Sequence, residues 1–143
     1  MKAVNPYLNF TGQTEEAFDF YKSVFGGEFL TVMKFKDIPD QEFPDNEKNQ
    51  IVHISLPIAP NFVLMGSDVP ESMGIKFTVG NNVHISLSTE SQEEADKIFN
   101  NLSKGGNVMM PMADQFWGDY FGSFTDKFGI NWMISFTKEQ KII

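Results

Sequence analysis

The chain has 143 residues, 41% of them hydrophobic, and no cysteine, so disulfides, thiolate ligands and thiol nucleophiles are excluded. Its formal charge of −8, with only 11 Lys+Arg scattered along the sequence, disfavours phosphate backbones and hence nucleic acid as a partner. No apolar run is long enough to span a bilayer or to act as a secretory signal, which leaves a soluble cytoplasmic protein with no membrane partner as the expectation.

Val4 to Phe10 reads as a first strand, with Pro6 near its start, where a missing N–H is tolerated. After the turn Thr11 to Thr14, with Thr14 as the expected helix cap, Ala17, Phe20, Tyr21, Val24 and Phe25 form one helical stripe that Gly26-Gly27 ends. Strands are expected at Glu28–Phe35, Gln50–Pro57 and Asn61–Ser67, with a charged loop between the first two read as a solvated excursion. Asp68 to Asn81, rich in Pro, Gly and polar residues, reads as a connection.

The order then repeats. Asn82–Thr89 reads as a strand, and Ser91 to Glu94 as a capping box opening a second helix with the stripe Ala95, Ile98, Phe99 and Leu102, closed by Gly105-Gly106. Strands follow at Asn107–Met112, Tyr120–Thr125 and Ile130–Phe136, with Asp126 to Gly129 as a turn. Glu15-Glu16-Ala17 and Glu93-Glu94-Ala95 occupy matching places, and the same offset carries Pro6 onto His84. The chain is therefore a duplicated strand–helix–three-strand module. The first copy is expected over residues 1–68 and the second over 82–143, joined by 69–81, as a single domain.

Val52-His53-Ile54-Ser55-Leu56 recurs as Val83-His84-Ile85-Ser86-Leu87, but at a spacing that does not match the helices. Strand alternation accounts for the likeness. It sets His53, Ser55, His84, Ser86 and Ser88 on faces turned away from the helices. Fifteen Phe and eight Met imply an aromatic core or an apolar pocket. Met109, Met110 and Met112 read as core filling. Phe116 to Phe121 reads either as an aromatic cover over a ligand or as an anchor for its own loop.

Four segments carry a resemblance. Asn5 to Phe10, Phe20 to Gly27, Leu64 to Asp68 and Asp126 to Met133, in this order, resemble the PhnB-like branch of the vicinal oxygen chelate superfamily of glyoxalases, bleomycin-resistance proteins and dioxygenases. The resemblance implies an α+β fold. Two tandem βαβββ modules would form a cupped, mostly antiparallel eight-stranded sheet with helices outside, and the protein would be a homodimer. In metal-using members it implies a divalent ion held by two His and one Glu. Carried over, those positions are Pro6, His84 and Met133, so only His84 matches and no metal is expected. A substitute set of His53 with Asp68 or Asp126 would need turn residues to reach the cupped face. A ubiquinone-pathway methyltransferase label also attaches to the branch. The Gly-x-Gly loop of a nucleotide-like cofactor site is absent here.

The leading expectation is a metal-independent protein, without cofactor, that binds a hydrophobic or aromatic small molecule in a cavity lined by His53, Ser55, Met65, His84, Ser86, Trp117, Tyr120 and Met133. The alternative is a metal-dependent lyase, isomerase or dioxygenase using His84. Either imidazole also reads as an ordinary strand residue hydrogen-bonded to serine or backbone, and no catalytic residue can be assigned by spacing.

Overall fold

In the first half of the chain, a helix rests on the one sheet face that is apolar enough to receive it. The computed structural model describes residues 1–138 and divides between Thr78 and Val79 into two compact units. In the first unit β1 (Tyr7–Phe10) lies parallel to β4 (Phe62–Asp68), β3 (Ile51–Ala59) is antiparallel to β4, and β2 (Thr31–Lys34) closes the edge. The sheet order is β1-β4-β3-β2. Helix α1 (Thr14–Phe25) buries Ala17, Phe18 and Tyr21 against it, with Glu15 and Glu16 at the positive end of its dipole and Lys22 at the negative end. Leu8, Phe10, Ile54, Leu56 and Leu64 complete this core. Gly66 belongs to the same face: a Cβ there would stand 2.7 Å from Phe18 Cε1.

The second unit repeats the plan. β5 (Ile85–Ser88) is parallel to β8 (Asn131–Thr137), β7 (Asp119–Thr125) is antiparallel to β8, and β6 (Asn107–Asp114) forms the edge, in the order β5-β8-β7-β6. Helix α2 (Gln92–Leu102) buries Ala95, Phe99 and Leu102, with Phe99 edge-on to Phe124 at 5.1 Å. Trp132 and Ile134 lie fully buried in this core. The two-module α+β architecture is thus observed as two four-stranded mixed sheets, each with its own helix.

Several expected boundaries move. The first strand begins at Tyr7 rather than Val4 and the fifth at Ile85 rather than Asn82, so Pro6 and His84 each stand one residue before their strand. The second strand is only Thr31–Lys34, because its pairing with β3 shifts register between Met33 and Lys34 and the chain then turns into a 3₁₀ helix at Phe35–Asp37. Thr14 is not a cap but the first helical residue; Gln13 precedes it without a side-chain cap, and the Thr14 hydroxyl donates to Asp68 instead. Met109 and Met110, expected in the core, are exposed on edge strand β6. Ser91 does cap α2, accepting from Glu94 N–H, whereas the Glu94 carboxylate accepts from Glu90 N–H one residue upstream of the box position. The expected connection contains a short 3₁₀ turn, Glu71–Met73. Residues 139–143, the end of the expected second module, lie outside the described residues. No helix of the described residues is long and apolar enough to cross a membrane.

Candidate functional site

Three of the candidate residues, His53, Ser55 and Met65, lie on the helix-free face of the first sheet. Cα pairing sets Tyr7 and Ser55 beside Met65, and Met33 beside His53, all out of phase with the residues that meet α1. The Tyr7 hydroxyl lies 3.1 Å from His53 Nδ1, and the two rings stack with centroids 5.7 Å apart at 24°. His53 is therefore a hydrogen-bonded sheet histidine, and its partner is an aromatic side chain rather than a serine. Its Nε2 makes no hydrogen bond among the described residues; it carries a proton when Nδ1 accepts from Tyr7 and a lone pair when Nδ1 donates. Tyr7 is the member that sequence reasoning missed. The signal was its alternation with Leu8 and Phe10, both of which are buried.

In the second unit Ser86 and Ser123 flank Met133 on the helix-free face, and Trp132 points the other way, where its Nε1 donates to Asp126. His84 precedes β5 and forms no hydrogen bond among the described residues, so the expected serine or backbone partner is not there. Trp117 donates from Nε1 to Asp119 Oδ2 at 3.0 Å and meets Phe116 and Phe121 edge-on at 5.0 and 5.9 Å. Phe121 pairs with Ser135, in phase with Met133. Tyr120 must be corrected. It pairs with Phe136 in the phase of Trp132, and its hydroxyl donates to Asp96 of α2, so it belongs to the helix-packed face and not with Met133. That bond raises the Tyr120 pKa above its ordinary value of 10.0, because the phenol donates to a carboxylate and ionisation would set two negative charges side by side.

The donor chemistry can be tested against a metal. Pro6 offers no side-chain lone pair, and its carbonyl accepts from Met65 N–H. Met133 offers a thioether. Neither suits a divalent ion of the His/His/carboxylate kind. The acids of the substitute set are engaged: Asp68 accepts from Gly12 N, Thr14 N, Thr14 Oγ1 and Ile51 N, and Asp126 from Phe128 N, Ile130 N and Trp132 Nε1. No group of three His, Asp or Glu side chains converges among the described residues. The residues present do not fit the metal centre that the fold family implies.

Comparison with known proteins follows the same lines. A family model described as 3-demethylubiquinone-9 3-methyltransferase matches residues 2–135. The crystal structure of protein PA1353 from Pseudomonas aeruginosa is 36% identical, with a TM-score of 0.85 over 96% of this chain and 98% of that one. Protein YjdN of Escherichia coli K12 is 29% identical, covering 96% of this chain and 97% of its own length. A PhnB protein from Bacillus cereus, at 24% identity, 94% and 98% coverage and a TM-score of 0.77, shares the fold. So does a glyoxylase/bleomycin resistance protein/dioxygenase domain from Frankia, at 13% identity, 96% and 97% coverage and a TM-score of 0.63.

Proposed function

The chain belongs to the family described as 3-demethylubiquinone-9 3-methyltransferase, PhnB-like proteins of the vicinal oxygen chelate superfamily, and from that premise we propose that it binds a small aromatic or hydrophobic molecule without a metal. The observation that carries this reading is the Tyr7–His53 stack on the helix-free face, flanked by Met33 and Met65. A flat pair of rings offers stacking area, two thioethers mould to the ligand edge, and His53 Nε2 adds one polar contact that orients it. Trp117, Phe121, Met133 and Ser86 give the second unit the same chemistry. The protein works in the cytoplasm, as a homodimer.

The methyl-transfer activity in the family's description is not carried over. The chain has no Gly-x-Gly turn between a strand and a helix, the sequence mark of a nucleotide-like cofactor site.

Calorimetric titration with 2-naphthol tests the proposal, on protein before and after dialysis against EDTA. Affinity should be the same in both, should fall by about tenfold in His53→Ala and in Tyr7→Ala, and should change little in His84→Ala. Binding that disappears with EDTA, or a turnover that collapses in His84→Ala, overturns the reading in favour of a metal-dependent enzyme.

A further inference from the structure

The loop expected to be a solvated excursion holds a buried carboxylate. Glu47 is 4% exposed, and its oxygens accept from the N–H and hydroxyl of Ser72. No lysine or arginine pairs with it among the described residues. A buried carboxylate ordinarily has a cationic partner, since two neutral donors replace only part of its lost hydration. Glu47 lines a cavity of about 320 Å³ in the first unit, a volume within the range of small-ligand pockets. Beside it stands Gln50, whose Oε1 is buried and has no hydrogen-bond partner among the described residues. Thr11 adds a hydroxyl, and Val69, Ile75 and Phe77 form an apolar wall.

The lining of the cavity includes a second carboxylate, Glu71, and no lysine or arginine. Its unmet requirements are thus a positive charge for Glu47 and a hydrogen-bond donor for Gln50 Oε1. One ammonium group supplies both, because it carries three N–H donors and a full charge. A bare metal ion is a poorer match. Three of the eight lining residues, Val69, Ile75 and Phe77, are apolar and suit an organic tail rather than the hydration shell that a hard cation keeps.

We propose that this cavity is a second binding site, which takes a small organic cation: a primary ammonium on a short apolar tail. The ammonium lies between Glu47 and Gln50, and the tail lies along Val69, Ile75 and Phe77. The site is separate from the Tyr7–His53 face and does not rest on it.

Titration calorimetry with phenethylamine hydrochloride tests this, with phenylacetate, 2-phenylethanol and calcium chloride as comparators. Phenethylammonium should bind one to one, at least about tenfold more tightly than any comparator. Glu47→Gln, which keeps an acceptor for Ser72, and Gln50→Ala should each weaken it by about tenfold. Val69→Phe, which fills the cavity and leaves the Glu47–Ser72 contact in place, should abolish it. His53→Ala should leave it unchanged, so failure here and failure of the 2-naphthol site are told apart. No heat with phenethylammonium at millimolar concentration, equal affinity for the comparators, or full binding in both Gln50→Ala and Val69→Phe overturns the proposal.

Discussion

At Asp68 one carboxylate does the work of a helix cap, a turn clamp and a strand anchor. Its Oδ1 accepts from Gly12 N, Thr14 N and Thr14 Oγ1, and its Oδ2 accepts from Ile51 N at 2.8 Å. Asp68→Asn keeps Oδ1 but turns an NH₂ toward the Ile51 N–H, two donors face to face, so a loss of about 2–3 kcal/mol is expected. Asp68→Ala leaves every donor unpaired and should cost about 4 kcal/mol, read from urea midpoints at unchanged slope. Tyr120 makes a prediction in pH. Its folded pKa lies above the unfolded value, so the folded state keeps the proton after the unfolded chain has released it. The stabilisation is complete below pH 10 and is lost as pH rises from there through the folded pKa. The difference between the absorbance titrations of wild type and Tyr120→Phe should isolate a phenol that ionises above 10.0. That component should move down in Asp96→Asn, because the hydrogen bond to Asp96 is the largest cause of the shift.

The helices approach their sheets closely because one residue beneath each has no side chain. A Cβ on Gly66 would meet Phe18 Cε1 at 2.7 Å and the Leu8 carbonyl oxygen at 2.8 Å; a Cβ on Gly122 would meet Met112 Sδ at 2.6 Å and Phe99 Cε2 at 2.8 Å. The ring of Phe18 can give way, but the backbone of Leu8 cannot. Gly66→Ala should therefore destabilise by about 2–3 kcal/mol, and adding Phe18→Leu should recover only the share due to the ring, since the Leu8 carbonyl stays in place. A thermal melt series of the single and double variants checks this, and additive losses would refute the steric account. The elements themselves were legible in sequence because helix stripes and strand alternation are local patterns. Their ends were not, since Tyr7 and Ile85 start their strands only where β4 and β8 supply a partner. Tyr120 was misread for a related reason: its face is set by the β7–β8 register, which pairs it with Phe136.

For the molecule as a whole the duplication was written in the spacing of the two helices, whereas its sites are made by contacts distant in sequence. Tyr7 and His53 are 46 positions apart, and Glu47 meets Ser72 across 25, so neither pair has a local signature. Assembly is the remaining question at this scale. The edge strand β6 exposes Val108, Met109 and Met110 at 43%, 45% and 40%, an apolar run on a chain of net charge −8. Pro111 lacks an N–H and the β6–β7 ladder is bulged on either side of Met110, which blunts simple strand addition along this edge. A second copy that assembled on this edge would dock through these side chains rather than through a continued ladder. Light scattering coupled to size exclusion should give twice the chain mass for the wild type and the single mass for Met109→Lys/Met110→Lys. Far-ultraviolet circular dichroism of the variant should be unchanged, since neither side chain belongs to the buried core. A wild type that elutes as a monomer at micromolar concentration, or a variant that stays dimeric, removes β6 from any role in assembly.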